Sequence, residues 1–243
     1  MDFAHCDFPS LSSKHFAQTN GLGPFNNPMV PISAADSGNQ PQHLKEGIWA
    51  FPPNNLCNGT QSWWLGCDPE PVLIDCPPVT PETIESLKTF SLGRPALIVL
   101  TNRESHGRVS ALHDALGWPV LVQEQEAYLL PGIKKLSSFS EEYLTISGLR
   151  LLWTPGPTPG SCVLYAPAPW NVLFCGRLLI PLKSNRLEAV LTKTTFHWTR
   201  QQKSLEKLRQ WLPRDRRPAL APGVGVRSQQ WRGIFDWEDW KSS

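Results

Sequence analysis

The sequence predicts an α/β domain of stacked layers, in which two similar halves follow one another along the chain. Strand patterns alternate with helix patterns between residues 48 and 122, an order typical of layered α/β domains. A second series of short strand patterns, followed by one amphipathic helix, lies between residues 149 and 212. The chain has 243 residues, of which 40% are hydrophobic, so it is long and apolar enough for a sizeable core.

The first half contains a predicted hairpin and then alternating helices and strands. Apolar runs separated by turn residues predict its first strands, at residues 48–51, 62–65 and 72–75. Thr80, Pro81 and Glu82 supply an N-cap, a proline at the first helical position and an acid in the first turn, which predicts a helix to about residue 90. A strand, a helix and another strand are predicted to follow, at residues 96–100, 109–116 and 119–122.

The second half is predicted to hold short strands joined by Gly- and Pro-rich turns, at residues 149–154, 162–166 and 171–175. Its helix covers about residues 199–212, where apolar side chains recur on one face, at Leu205, Leu208, Trp211 and Leu212. Residues 1–43 show no such periodicity and are rich in Ser, Asn, Pro, Gly and Gln. We therefore expect a flexible N-terminal arm over residues 1–43 and a folded domain over residues 44–243.

Composition argues against several classes of protein. The formal net charge is +2, so no overall field marks the chain for nucleic acid or an anionic membrane. No apolar run is long enough for a membrane span, and the first residues lack a signal-peptide pattern, so a cytoplasmic protein is expected. The six cysteines include no Cys-x-x-Cys pair, and buried free thiols are expected rather than disulfides, at Cys67, Cys76, Cys162 and Cys175.

Five short motifs carry a family resemblance. They are VLIDC at 72–76, LTNRESHG at 100–107, TPGPTPGS at 154–161, LFCGR at 173–177 and APGVG at 221–225. In this order and spacing they resemble the landmarks of the metallo-β-lactamase fold superfamily, from about residue 48 to residue 225. The resemblance implies a four-layer αββα sandwich of the metallo-β-lactamase type, with its site where these five loops meet.

The same loops depart from the superfamily at the positions that the resemblance assigns to metal ligands. Asn102 stands in place of the first ligand histidine, Pro157 of a later one, Arg177 of the metal-bridging aspartate and Val224 of the last histidine. Zinc sites need about three or four converging His, Cys or carboxylate ligands. The predicted domain has only three histidines, His106, His113 and His197, so the sequence predicts that the dinuclear metal site is lost and that no cofactor is bound.

A degenerate branch of the superfamily from oxygenic phototrophs is also similar. The resemblance rests on the Gly-Arg ending at residues 176–177 and on the segment FPPN at residues 51–54. It implies no settled activity.

The candidate pocket residues are those that the resemblance brings to the site: Asp75, Asn102, Arg103, Glu104, His106, Pro157, Arg177 and Val224. For Asp75 we expect hydrogen bonds to backbone amides of the neighbouring loop. Arg103 and Arg177 have two open interpretations, an internal ion pair with Glu104 or Asp75 and a site for an anion. His106 is expected to cap a helix or lie in solvent, unless it is the remnant of a metal site.

Two further histidines have structural expectations. His113 is expected on the surface of its helix, and a structural hydrogen bond is favoured for His197. The basic stretch 200–217 is interpreted as a solvated helix face, so a nucleic-acid partner is not expected.

Two functions remain open from the sequence. The first is a non-catalytic binding or scaffolding module, whose partner is an anionic small molecule or another protein. The alternative is a metal-dependent hydrolase that holds one zinc or iron through His106, Glu104 and Asp75.

Overall fold

The predicted four-layer αββα sandwich is confirmed. The computed structural model describes residues 40–182, 186–224 and 233–240, and most of the predicted arm lies outside these residues. Within them the strands form a seven-stranded sheet, a five-stranded sheet and a small two-stranded sheet. One core cluster joins the two large sheets, and two others join the outer faces of the sheets to the helices.

The first sheet follows the chain, with neighbouring strands in sequence order. Its strands are β1 (Gln42–Lys45), β2 (Ile48–Ala50), β3 (Trp63–Leu65), β4 (Val72–Ile74), β5 (Leu97–Leu100), β6 (Val120–Gln123) and β7 (Leu136–Phe139). Strands β1 to β4 pair antiparallel, whereas β4 to β7 pair parallel. The crossovers between the parallel strands carry α1 (Pro81–Ser91), α2 (Val109–Leu116) and α3 (Glu124–Ala127). Strand β1 begins two residues before the expected domain boundary.

The second sheet has the order β14-β11-β10-β9-β8. Its strands are β8 (Glu142–Leu144), β9 (Arg150–Trp153), β10 (Cys162–Ala166), β11 (Val172–Gly176) and β14 (Ala219–Pro222). The short strands β12 (Ile180–Pro181) and β13 (Leu187–Glu188) pair with each other after β11. Helix α4 (Trp198–Trp211) then returns the chain to β14, which lies parallel to β11.

The helix boundaries follow the local signals in the sequence. The Thr80 side chain accepts a hydrogen bond from Thr83 N at 3.2 Å and Pro81 is the first residue of α1. Helix α2 ends at Gly117, whose φ of +67° is the left-handed conformation that glycine adopts most easily. His197 caps α4, because its Nδ1 accepts the backbone N–H of Arg200 at 3.3 Å, so the structural role expected for this histidine is observed.

One expectation about α2 is wrong. His113 is 5% exposed rather than on the surface, and its Nδ1 lies 2.7 Å from the carbonyl oxygen of Trp118. Its side chain reaches past the end of the helix to the chain that leads into β6. The buried imidazole of His113 therefore links helix α2 to the segment that precedes β6.

The cysteines in the described part of the chain are free and buried, as expected for Cys67, Cys76, Cys162 and Cys175. Burial raises the pKa of Cys57 and Cys67 to about 11, so neither thiol is activated as a nucleophile. None of the helices in residues 40–182, 186–224 and 233–240 is long and apolar enough to cross a membrane.

Substitution of Phe174 tests the packing between the two large sheets. Its side chain is completely buried, and its ring packs edge-on against Trp63 of the facing sheet with 5.7 Å between ring centroids. We expect Phe174→Ala to lower the free energy of unfolding by about 3–5 kcal/mol in urea titrations, because it leaves a cavity between the sheets. The control Tyr128→Ala, at a residue that is 73% exposed, should change it by less than about 0.5 kcal/mol. Equal losses would contradict this packing.

Candidate functional site

The candidate site lies where loops from both large sheets meet at the carboxyl ends of their strands. The loop after β5 contacts the second sheet, since Cys162 N donates to Thr101 O at 2.8 Å. The loop after β14 contacts the end of β11, since Gly223 N donates to Gly176 O at 2.7 Å. These contacts bring together the segments that carried the five motifs.

Asp75 is the buried anion at the base of the site. The residue is completely buried and adopts a left-handed backbone with φ of +62°. Its carboxylate accepts hydrogen bonds from Thr101 N at 2.7 Å, Thr101 Oγ1 at 2.8 Å and Ser105 Oγ at 2.6 Å. Asp75 therefore fixes the loop after β5, as one of its two sequence interpretations expected.

Burial dominates the ionisation of Asp75. It raises the pKa of the carboxyl group to about 6, against the hydrogen bonds from Ser105 and Thr101 and the positive charge of Arg177, which lower it. The group thus titrates about two units above its ordinary pKa of 3.8. Its charge is present at neutral pH and is lost in mild acid.

Asn102 is used by its own loop. Its Oδ1 accepts the backbone N–H of Glu104 at 3.0 Å, and its Nδ2 donates to Thr101 Oγ1 at 2.9 Å. The residue is completely buried and begins the single 3-10 turn of residues 103–105. Its Oδ1 is occupied by the turn and its Nδ2 by the residue before it, so Asn102 acts as a cap.

Arg177 and Glu104 form an ion pair in the site. Arg177 Nε lies 3.0 Å from Glu104 Oε2, and their side chains are only 15% and 11% exposed. The N–H is not aligned well enough for a hydrogen bond to Oε2, so the contact is a close charge pair. Arg177 Nη1 is also buried without a hydrogen-bond partner among the described residues. Of the two sequence interpretations, the internal ion pair with Glu104 is thus the one observed.

His106 does not lie in solvent, contrary to one of its expected placements. The residue is 9% exposed, and its backbone N–H closes the 3-10 turn by donating to Arg103 O. Burial and the nearby charge of Arg103 lower the pKa of the imidazole to about 4, so it is neutral at physiological pH. Its Nε2 has no hydrogen-bond partner in the described part of the chain.

The loop of residues 154–161 packs on helix α4. Gly156 has a φ of +147°, and a Cβ atom there would lie 2.4 Å from the Cα atom of Gln201. Only glycine permits this approach of loop and helix. The adjacent Pro157 is buried, and its carbonyl oxygen accepts the N–H of Phe196 at 3.1 Å.

Val224 lies beside the site without contributing a polar group. It forms an isolated bridge with Thr60, while the preceding Gly223 packs against the backbone of Gly176. Arg103 is exposed, and its positive charge acts on His106 and on the buried carboxyl group of Glu126.

Two buried polar residues of the site were not found from the sequence. Glu126 is 1% exposed, and its Oε1 accepts the N–H of Gly160 at 2.9 Å, while burial raises its pKa. Its neighbours are polar, so no local signal marks it as buried. Gln201 is 1% exposed and shares the buried face of α4 with Leu205 and Leu208, which helical spacing from these leucines would have indicated.

The donor atoms of the site do not fit a metal centre. Among residues 40–182, 186–224 and 233–240 no group of three or more His, Cys, Asp or Glu side chains is arranged to hold an ion. Asp75 already accepts bonds from Thr101 and Ser105, and Glu104 faces a guanidinium group. The set His106, Glu104 and Asp75 therefore does not form such a group.

The raised pKa of Asp75 predicts how the stability of the fold depends on pH. Because its pKa is about 6 in the folded chain and near 3.8 when unfolded, the folded state binds more protons between these values, and stability falls as the pH rises through them. From pH 4 to pH 7 the wild-type chain should lose about 2.4 kcal/mol relative to Asp75→Asn in urea titrations. Asp114→Asn, at an exposed aspartate, should follow the wild type. Parallel curves for wild type and Asp75→Asn would refute the raised pKa.

Comparison with known proteins identifies the fold. No protein-family model matches the sequence, and no match was found among curated proteins. Solved structures do match. A metallo-β-lactamase from Pontibacter korlensis is 20% identical with a TM-score of 0.62, over 82% of this chain and 94% of that one.

Two further structures extend the similarity. A metallo-β-lactamase superfamily protein from Sulfolobus tokodaii is 14% identical with a TM-score of 0.56, over 79% of this chain and 82% of that one. TTHA1623, solved in a di-iron-bound form, is 23% identical with a TM-score of 0.55, over 73% of this chain and 92% of that one. Such identities speak to the fold alone: the chain has the metallo-β-lactamase fold.

Proposed function

We propose that this chain is a non-catalytic protein of the metallo-β-lactamase fold, in which the Arg177–Glu104 ion pair takes the place of a metal centre. The ion pair is the observation that carries the proposal. The protein would act as a binding or scaffolding module, and its cytoplasmic location and its link to the phototroph branch are parts of the same proposal.

The fixed charge of Arg177 is the first argument. A guanidinium group keeps its proton at any physiological pH, and Arg177 stands where the resemblance implies a metal-bridging carboxylate. A divalent cation placed there would be repelled by this charge and would have to compete with it for Glu104.

The remaining donors give the second argument. Zinc or iron would need several free imidazole, thiolate or carboxylate groups at one point. The positions that the resemblance assigns to ligands hold the capping amide of Asn102 and the apolar side chains of Pro157 and Val224. Without a bound metal the site has no means to lower the pKa of a water molecule to near neutrality.

A binding role agrees with the charges around the site. Arg103 and Arg108 are exposed on the loop after β5, and Lys193 and Arg200 are exposed near the start of α4. These cations favour an anionic small molecule or an acidic surface of a partner protein. They are too few to favour nucleic acid as the partner.

Metal content tests this proposal. We expect less than about 0.1 equivalent of zinc or iron by mass spectrometry, in protein purified without added metal and again after incubation with each ion and desalting. Arg177→Asp should remain metal-poor, because the other ligand positions still lack donors. One tightly held equivalent in the wild type, with chelator-sensitive hydrolysis of a thioester or phosphodiester, would overturn the proposal in favour of the hydrolase.

The ion pair makes a second, independent prediction. Arg177→Met should lower the free energy of unfolding by about 3 kcal/mol, because it leaves Glu104 largely buried and unpaired. The double variant Arg177→Met/Glu104→Leu should recover at least about 1 kcal/mol of this loss, since it removes both charges.

The exposed ion pair between Arg94 and Asp68 provides the matched control. Its side chains are 38% and 76% exposed, so the same double-mutant cycle should give a coupling energy below about 1 kcal/mol. A coupling energy at Arg177–Glu104 no larger than that of the control would show that this ion pair does not stabilise the fold in place of a metal centre.

A further inference from the structure

A small cavity lies beside the ion pair. Its walls include Pro157, Arg177, Thr192, Thr194, Thr195 and Gln201. Its volume of about 10 Å³ has room for roughly one water molecule. The cavity therefore combines one cation, one amide and three hydroxyl groups in a space that fits a single ligand oxygen.

Two lining residues have polar atoms that lack partners in the described part of the chain. Arg177 Nη1 is a buried donor without an acceptor, because the ion pair with Glu104 involves Nε. Gln201 Oε1 is a buried acceptor without a donor, while Nε2 of the same amide donates to Leu178 O at 3.2 Å. An unsatisfied buried donor and acceptor each cost free energy, so a ligand group that both accepts and donates a hydrogen bond complements them.

The surroundings of the cavity favour a negative ligand. Lys193 lies between the lining residues Thr192 and Thr194, and Arg200 directly precedes Gln201. Lys193 and Arg200 are both exposed. Residues 186–206 include four Lys or Arg residues and only two carboxylates, Glu188 and Glu206. Gln201 also lies near the start of the 14-residue helix α4, whose amino-terminal end carries partial positive charge.

We propose that this cavity binds the hydrogen phosphate ion. The oxygen of its P–OH group accepts a hydrogen bond from Arg177 Nη1 and donates one to Gln201 Oε1, while the other phosphate oxygens lie at the mouth of the cavity. Inorganic phosphate carries a P–OH group near neutral pH, whereas sulfate and carboxylate ions carry no proton, a phosphate monoester has mostly lost its second proton and a neutral alcohol carries no charge. This inference deepens the proposed binding role and rests on it.

The threonine turn of residues 192–195 borders the mouth of the cavity. Thr192 N donates to Thr195 Oγ1 at 2.8 Å and Thr195 N to Thr192 O at 3.2 Å, and the next residue, Phe196, donates its N–H to Pro157 O at 3.1 Å. The turn is therefore held against the loop of residues 154–161. Thr192 and Thr194 are exposed there, so their hydroxyl groups are available to the phosphate oxygens outside the cavity.

Isothermal titration of the full-length chain at pH 7 tests the site. We expect saturable binding of inorganic phosphate and at least about 10-fold weaker binding of sulfate, because sulfate cannot donate to Gln201. Glycerol 1-phosphate, which is mostly a dianion without a P–OH group at pH 7, should bind more weakly than inorganic phosphate, and tighter binding of this monoester would overturn the proposal. Saturable binding of glycerol at the same concentrations would overturn the proposal.

Variants locate the binding. Arg177→Gln should weaken phosphate binding at least about 10-fold, and Gln201→Met should remove the preference for phosphate over sulfate. The control Arg94→Gln lies in an exposed ion pair before β5, at the opposite end of the strands, and should bind as the wild type does. Thermal melting establishes that each variant is folded, and the phosphate–sulfate comparison on the wild type needs no variant.

Two further outcomes overturn the inference. One is the absence of saturable phosphate binding. The other is equal binding of phosphate and sulfate that Gln201→Met leaves unchanged, which would reflect attraction by surface cations alone. A metal-free chain that fails to bind phosphate refutes this inference and leaves the proposed function standing, whereas a metal-loaded chain refutes the proposed function itself.

Discussion

The hydrogen bonds between Asp75 and Thr101 hold the site together. The Asp75 carboxylate binds both the backbone N–H and the hydroxyl of Thr101, so the ends of β4 and β5 are fixed to each other. The carbonyl oxygen of Thr101 accepts from Cys162 in the second sheet, and its side chain abuts Gly176. One buried carboxylate thus sets the distance between the two sheets at the end where the loops meet. The cost of burying this charge shows in its raised pKa, and the three hydrogen bonds that it accepts partly offset that cost.

If the chain holds no metal, as proposed, the charges of the site must be balanced by its own side chains. Asp75, Glu104 and Glu126 place three carboxyl groups among buried loops, and such groups are costly unless a positive charge lies near. Arg177 supplies that charge covalently, through its contact with Glu104 and its longer-range effect on Asp75. A guanidinium group is bulkier than an ion and presents donors in fixed directions, so it can satisfy only part of its surroundings. The unpaired atoms that remain, Arg177 Nη1 and Gln201 Oε1, are the ones that make the neighbouring cavity suited to a ligand.

The sequence predicted those regular elements whose ends are marked by local signals, such as a capping residue or a terminal glycine. Helix α2 was predicted with its observed bounds, because Gly117 ends it and apolar residues line one face. The strands that were missed are β1, β7, β8, β12, β13 and β14. Strands β1 and β8 are exposed throughout, and β12 and β13 have only two residues each. His113 was misplaced because its partner, the carbonyl oxygen of Trp118, lies beyond the end of the helix. The ion pair was one of two open interpretations: its partners follow strands of different sheets, so only the folded chain could decide between them. Glu126 was missed for the same reason, as its partner Gly160 lies in a distant loop.

Close backbone packing explains why the motifs are still detectable although the expected ligands are gone. A Cβ atom at Gly156 would collide with Gln201, one at Gly176 would lie 2.8 Å from Thr101 Oγ1, and one at Gly223 would lie 2.9 Å from the Cα atom of Gly176. These contacts fix how α4, β5 and β14 approach one another, so a side chain at any of the three glycines would push whole elements apart. The residues next to them, Pro157, Arg177 and Val224, border the site instead. They can change without displacing an element, provided that the new side chains leave the buried charges balanced. The glycines of the Thr-Pro-Gly, Gly-Arg and Pro-Gly motifs are therefore best understood as constraints of the fold, which say little about the chemistry that the loops perform.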